Sequence, residues 1–263
     1  MNNIAKKGKK IMCHTPIARE HHRFAVRREL WILTLLLFIG FTAPAYGQQF
    51  NSDNWWVLPK GVGMGVATIG QEYSTMYLGV GFVPKWEADI AITAYSEDDT
   101  SVAHYSTTAF VKRLLYQNEA VTEGVAVMAG IGQSPSYYQA GIKADKFKSY
   151  WATAPITLSF ADNMYSWDIM PGVMYNKQYG PNDNVWGFSY STRLAIYKII
   201  PESSIVAEVF GAEGDAKADA QYKAGVRWES KYVIAAFTYG DGLEGNEGAG
   251  FEFGVMVITP PYL

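Results

Sequence analysis

The sequence predicts an all-β fold, a closed antiparallel up-and-down transmembrane β-barrel of about twelve strands. Three observations predict it. Apolar and polar residues alternate in twelve separate runs with almost no helical periodicity. The connections between the runs are sorted by length. One face of the runs is apolar, and the other collects ionisable side chains.

The first 47 residues have the pattern of a secretory signal peptide. A basic stretch precedes the apolar run LWILTLLLFIG, and small residues follow up to Gly47. We therefore expect a signal peptide over 1–47 and an outer-membrane β-barrel domain over 48–263. An uncleaved membrane anchor is the alternative, although the apolar run is near the short end of the roughly 17–25 residues that a spanning helix needs.

Composition excludes several classes of function from the predicted barrel domain. Removal of 1–47 takes away eight basic and two acidic residues, which leaves 14 basic against 23 acidic residues, or −9. Such a balance lacks the basic footprint of a nucleic-acid-binding protein. His104 is then the one histidine and no cysteine remains. We therefore expect no disulfide, no transition-metal site, no cofactor and no nucleic-acid partner.

Twelve alternating runs predict the strands, and an even number is typical of single-chain bacterial outer-membrane barrels. The predicted strands are 61–70, 75–83, 87–97, 102–116, 122–133, 149–161, 164–176, 185–198, 203–212, 219–229, 231–240 and 249–259.

The connections provide an independent indication of the same fold. If the first strand runs outward, the outer connections include the long GQSPSYYQAGIKADKFK and GDGLEGNEG, whereas the inner ones include VPKW, ADN and ESK. Short periplasmic turns and longer outer loops are typical of these barrels. The predicted location is therefore the outer membrane of a Gram-negative bacterium, in contact with its lipids and lipopolysaccharide.

The two faces of the strands differ in polarity. On the predicted outward face, apolar residues include Val62, Met64 and Val66 of the first strand. Nine ionisable residues on the inward face would be costly to bury in a sandwich core but suit a polar lumen. These predicted lumen-lining residues are Glu87, Asp89, Lys112, Asp168, Arg193, Glu208, Lys223, Arg227 and Glu252.

Aromatic residues cluster near the ends of the predicted strands. Aromatic girdles at the two membrane interfaces would explain this placement. The predicted interface residues are Trp86, Tyr165, Trp167, Trp186, Trp228 and Tyr232.

Three candidate sites each allow two interpretations. The nine inward charges either line a pore or brace the lumen as a paired network, which the sequence leaves open. The loop 133–148 either folds into the barrel mouth or covers the surface. The acidic GDGLEGNEG stretch either holds a divalent cation or is a solvated turn, and it lacks EF-hand spacing.

The tripeptide His104-Tyr105-Ser106 resembles the His-x-Ser motif of two outer-membrane lipid hydrolases, phospholipase A and the lipid A deacylase. The resemblance implies that the histidine would activate the serine for acyl attack. However, alternation along this strand turns both side chains inward, away from lipid. We therefore expect no enzyme, with a lipid hydrolase using His104 and Ser106 as a minor alternative.

The strand openings VPKWEADIAI, FADNMYSWDIMPGVMY, PESSIVAEVFG and ESKYVIAAFTYGDGL resemble those of the MetA-type outer-membrane family, which is associated with phenol-degradation operons. The resemblance is diffuse but spans most of the predicted barrel domain. It implies a barrel that passes hydrophobic compounds across the outer membrane, and it carries no site residue over to this chain.

The sequence thus predicts a passive outer-membrane channel or transporter for small solutes or hydrophobic compounds. The alternative is a plugged structural or surface-interaction barrel without transport. Substrate and oligomeric state stay open.

Overall fold

The computed structural model describes residues 52–95, 105–133, 148–179, 183–243 and 248–261. The predicted signal peptide, His104 and residues 134–147 of the long loop lie outside the described residues. The strands are β1 (Gly63–Gly70), β2 (Tyr73–Val83), β3 (Trp86–Tyr95), β4 (Tyr105–Gln117), β5 (Gly124–Gln133), β6 (Lys148–Thr153), β7 (Ile156–Phe160), β8 (Tyr165–Tyr179), β9 (Asp183–Tyr197), β10 (Ser203–Gly214), β11 (Ala218–Glu229), β12 (Val233–Gly242) and β13 (Gly250–Ile258).

The strands form one closed antiparallel barrel. Consecutive strands pair around the sheet, and β1 closes it against β13, with Met64 opposite Ile258. Strands β6 and β7 both lie between β5 and β8 and share one position in the wall. Thirteen strands therefore fill twelve positions, which confirms the predicted fold class.

The shared position corrects one predicted strand, 149–161, which is interrupted at Ala154 and Pro155. Proline has no N–H to donate to a ladder, so Pro155 removes one hydrogen bond at this point of the wall. The neighbouring strands still reach the interruption. Ala126 N donates to Pro155 O at 2.9 Å, and Ala154 N donates to Pro171 O at 2.9 Å.

The two ends of the barrel carry different connections. At one end, called the short-turn end, lie 84–85, 118–123, 161–164, 198–202 and 230–232. The connections 71–72 and 215–217 lie at the other end, called the loop end. Both are shorter than 118–123, so the predicted sorting of connections by length does not hold for these two. No helix among the described residues is long and apolar enough for a membrane span.

The outer wall of the barrel is strongly apolar. Side chains of alternate residues project from it, and many large apolar ones are exposed there. They include Ile69, Met76, Leu78, Ile90, Ile92, Ile131, Phe188, Phe237, Phe251, Phe253 and Val257.

The first strand corrects the predicted assignment of faces. Val62, Met64 and Val66 are buried inside the barrel, and Ile69 on the opposite parity is exposed. The three buried residues belong to an apolar cluster that includes Leu58, which precedes the first strand. Aliphatic side chains face inward here because they pack against Leu58 and other apolar side chains inside the barrel.

Candidate functional site

The lumen contains a segment of the chain itself. Residues 52–58, called the inner segment, precede β1, and six of the seven are buried. Ser52 and Leu58 are both 0% exposed. Leu58 lies near the short-turn end beside the start of β3, and Ser52 reaches the middle of β9 and β10. The inner segment thus runs from the short-turn end into the middle of the barrel.

The leading end of the inner segment is held by polar side chains of the opposite wall. Ser52 N donates a hydrogen bond of 2.9 Å to Glu208 Oε2 on β10. The hydroxyls of Ser52 and Ser191 on β9 are 2.6 Å apart. These two contacts fix Ser52 against the wall formed by β9 and β10.

An ion pair holds the next residue. Asp53 Oδ2 lies 2.7 Å from Lys112 Nζ on β4, and both side chains are buried. Glu87 on β3 is the register partner of Lys112. Its Oε2 accepts a hydrogen bond of 2.7 Å from the backbone N–H of Leu58. Two predicted lumen-lining residues therefore bind the inner segment.

A third wall contact holds Trp55. Its backbone N–H donates a hydrogen bond of 3.3 Å to Thr157 Oγ1 on β7. Thr157 Oγ1 in turn lies 2.5 Å from Asp168 Oδ1. The indole ring of Trp55 packs where the wall has no side chain, because a Cβ on Gly124 would lie 2.6 Å from a ring atom. A larger residue at Gly124 would collide with the tryptophan.

The inner segment satisfies much of its own backbone. Asp53 Oδ1 accepts a hydrogen bond of 2.7 Å from Asn54 N, and Asn54 Oδ1 accepts one of 3.0 Å from Trp56 N. Among the described residues, every hydrogen bond from residues 52–58 to the wall ends on a wall side chain. The inner segment is therefore bound to the barrel without being a strand of it.

Five of the nine predicted charges form a row of alternating sign, called the charge ladder. Asp168, Arg193, Glu208 and Lys223 are successive register partners on β8 to β11. Arg193 lies 2.7 Å from Asp168, and Lys223 lies 2.6 Å from Glu252 on β13. Alternating opposite charges on neighbouring strands stabilise a sheet and avoid unpaired buried charge.

The remaining predicted charges lie outside the ladder. Arg227 lies 2.6 Å from Glu229 and donates to Tyr197 Oη at 2.8 Å. Both carboxylate oxygens of Asp89 are buried and make no hydrogen bond within the described residues. All nine predicted residues are at most 3% exposed, on the inner parity of their strands.

Sequence reasoning missed the inner segment. The signal for it is weak, because Trp55, Trp56, Val57 and Leu58 form an apolar run without alternation. A second signal is small residues on the inner face. A Cβ on Gly81 would collide with the backbone carbonyl of Pro59, directly after the inner segment. Such glycines indicate close approach of another chain segment, but they do not identify it.

The six predicted interface aromatics lie close to strand ends. Trp186 lies toward the loop end, where its ring centroid is 4.7 Å from that of Tyr175. At the short-turn end the Arg113 guanidinium lies 5.1 Å from the ring centroid of Trp86. The others of this end are Tyr165, Trp167, Trp228 and Tyr232.

The other candidate sites are described only in part. Ser106 is buried on the inner face of β4, as alternation predicted, and it has partners. Residues 244–247 of the acidic loop lie outside the described residues. Within the described ranges, no group of three His, Cys, Asp or Glu residues is placed to hold a metal ion.

Three solved structures are similar to this chain. An outer membrane channel from Pseudomonas putida F1 matches with a TM-score of 0.49 and 11% identity, over 80% of this chain and 99% of that chain. A KdgM porin in complex with disordered oligogalacturonate matches with a TM-score of 0.47 and 10% identity, over 74% and 98% of the two chains. LpxR from Salmonella typhimurium matches with a TM-score of 0.42 and 9% identity, over 75% and 98%.

No family model and no curated protein matches the chain. The MetA-type family is therefore not confirmed, and the barrel assignment rests on the strand pairings themselves.

We predict that Asp168→Asn destabilises the barrel strongly, because Arg193 would keep a buried charge without its carboxylate partner. The expected loss is toward the lower end of roughly 3–5 kcal/mol, since Glu208 lies on the other side of Arg193. Equilibrium unfolding of the refolded barrel, followed by tryptophan fluorescence, measures it.

The matched control is Asp219→Asn, which breaks an ion pair with side chains 51% and 38% exposed. It should cost only about 0–1 kcal/mol. Equal losses in the two variants would show that burial of the ladder pair contributes nothing.

Proposed function

We propose that this chain is an outer-membrane β-barrel that acts as a passive channel for small solutes. One observation carries the proposal. A closed barrel presents an apolar outer wall, and its inner wall carries buried ionisable side chains that bind the inner segment through side-chain contacts alone.

The outer wall supports the membrane location. Soluble proteins rarely expose contiguous apolar surface of this kind. In hydrocarbon, however, a closed barrel satisfies every strand hydrogen bond and leaves apolar side chains in contact with lipid. The pairing of β1 with β13 provides this closure. Lipids and lipopolysaccharide of the outer membrane are then the partners of the outer wall.

The inner wall supports passage of small polar solutes, with cations preferred. On the described strands of the wall, five carboxylates and four basic side chains are buried. The acidic excess would raise the local concentration of cations in a water-filled passage. The charge ladder crosses the middle of the wall, where it would contact anything that passes. This arrangement favours polar over hydrophobic solutes.

A second candidate function is a plugged structural barrel without transport. The observation that favours it is the occupied lumen. The inner segment lies against the charge ladder, and the apolar cluster around Leu58 fills the space beside β1. In this function the paired charges brace the lumen and no solute passes.

We predict discrete conductance steps from the chain purified from outer membranes and inserted into a planar lipid bilayer. Reversal potentials should show cation preference, which Glu208→Gln and Glu252→Gln should lower because they remove ladder charges. Folding of each variant is checked by heat-modifiable migration. Silence of the folded protein in every variant, with or without the inner segment, would favour the plugged barrel.

We predict that Ile90→Arg destabilises the barrel in lipid vesicles by about 2–4 kcal/mol, the cost of a cationic side chain on the lipid face near the bilayer midplane. Ile90 lies in the middle of β3 and is 53% exposed. The control is Ile200→Arg in the turn 198–202, which should cost only about 0–1 kcal/mol near the interface. Reversible unfolding by denaturant in the vesicles compares them, and equal costs would contradict a lipid-facing wall.

We also propose that the chain is not an enzyme. Because Ser106 lies on the inner parity of β4, attack on a lipid from the outer wall would need a different path to the serine. We predict that the wild-type chain and Ser106→Ala release equally little fatty acid from outer-membrane lipid. Release that Ser106→Ala abolishes would instead support the lipid-hydrolase function.

A further inference from the structure

We propose that residues 52–55 form a gate that closes the lumen in this structure and opens it by swinging away from the wall. This inference rests on the proposed channel function and names the regulation of that same passage. Residues 56–62 act as the fixed anchor of the gate. Four observations on the described residues carry the proposal.

The gate can leave without disturbing the barrel. Strand pairing around the wall is complete without the inner segment, and the gate binds only wall side chains. Release therefore breaks the Ser52, Asp53 and Trp55 contacts but no ladder hydrogen bond. The bond from Asn54 N to Asp53 Oδ1 lies within the gate and can move with it. The bond from Trp56 N to Asn54 Oδ1 joins the gate to its anchor at the hinge.

The anchor differs from the gate in chemistry. Leu58 is fully buried in the apolar cluster, and Trp56 packs against that cluster. Backbone bonds then fix the chain to the start of the wall: Gly61 N donates to Gly81 O at 2.7 Å, and Gly81 N donates to Val62 O at 2.9 Å. A polar leading part thus follows an apolar, backbone-bonded base, which places the hinge near Trp56.

The wall contains replacement partners for the charges that the gate occupies. Lys112, released from Asp53, stands directly opposite Glu87 in the β3–β4 register. Glu208, released from Ser52, lies between Arg193 and Lys223 in register. Loss of the gate therefore leaves neither Lys112 nor Glu208 as an isolated buried charge, which is the costly outcome of breaking a buried pair.

The gate also blocks the charged part of the lumen. Ser52 binds Glu208 at the centre of the charge ladder, and Asp53 bridges to Lys112 on β4. The gate therefore spans the interior between β10 and β4. Its departure would leave the ladder facing an open passage, as cation-preferring conduction requires.

A disulfide lock tests the gate. The hydroxyls of Ser52 and Ser191 are 2.6 Å apart, close to the roughly 2.05 Å between the sulfurs of a disulfide. The double variant Ser52→Cys/Ser191→Cys, purified from outer membranes, is recorded in a planar bilayer under oxidising and then reducing conditions. We expect loss of conductance steps on oxidation and their return on reduction. The single variants Ser52→Cys and Ser191→Cys are controls that should not respond to reductant.

A second variant tests the gate without a crosslink. Asp53→Asn weakens the ion pair to Lys112 and should lengthen the open times, whereas Asp162→Asn in an exposed turn should leave them unchanged. The gate is overturned if the oxidised double variant conducts as the reduced one does, or if Asp53→Asn leaves the open times unchanged.

The failure of the gate and the failure of the channel are distinguishable. If conductance is unchanged by oxidation of the double variant and by Asp53→Asn, the gate is overturned and the channel function is retained. Silence of the reduced double variant and of Asp53→Asn overturns the gate. If a variant lacking residues 52–55 folds and is also silent, the channel is overturned as well.

Discussion

The pairing of β1 with β13 is the interaction on which the rest of this structure depends. An open sheet in a hydrocarbon environment would leave a row of N–H and C=O groups unpaired, each at a cost of several kcal/mol. Closure removes both edges and divides every strand into an inner and an outer parity. The apolar outer wall and the buried inner charges are two consequences of that single division.

Closure also creates an interior that must be filled with compatible groups. Twelve strand positions enclose more space than the wall side chains fill beside β1, and the chain supplies Leu58 and Trp56 to that region. Elsewhere the interior contains charges. Asp168, Arg193, Glu208 and Lys223 each have an opposite charge on a neighbouring strand, and Glu252 reaches Lys223 across β12. The inner segment matches both environments. Its apolar end at Trp56 and Leu58 packs in the apolar cluster, and its polar end at Ser52 and Asp53 contacts the charged side chains.

Alternation predicted the strands closely, because a period of two follows directly from backbone geometry. Strands β2 to β5 and β8 to β13 begin and end within a few residues of the predicted runs. The break between β6 and β7 was not predicted, although Pro155 stands in the sequence. A proline in an alternating run shows that one backbone hydrogen bond of the ladder is missing. Whether the strand continues or breaks there depends on the hydrogen bonds that the neighbouring strands offer.

The sequence by itself determined which residues share a face, since parity along a strand is a local property. It also determined that the inner face carries charges, because nine of them fall on one parity. Only the tertiary structure decided what those charges bind. Ser52 and Glu208 are separated by 156 positions in the chain, and no local pattern relates them. For the same reason, only the folded barrel turned Val62, Met64 and Val66 inward, because their apolar partners lie on other strands and in the inner segment.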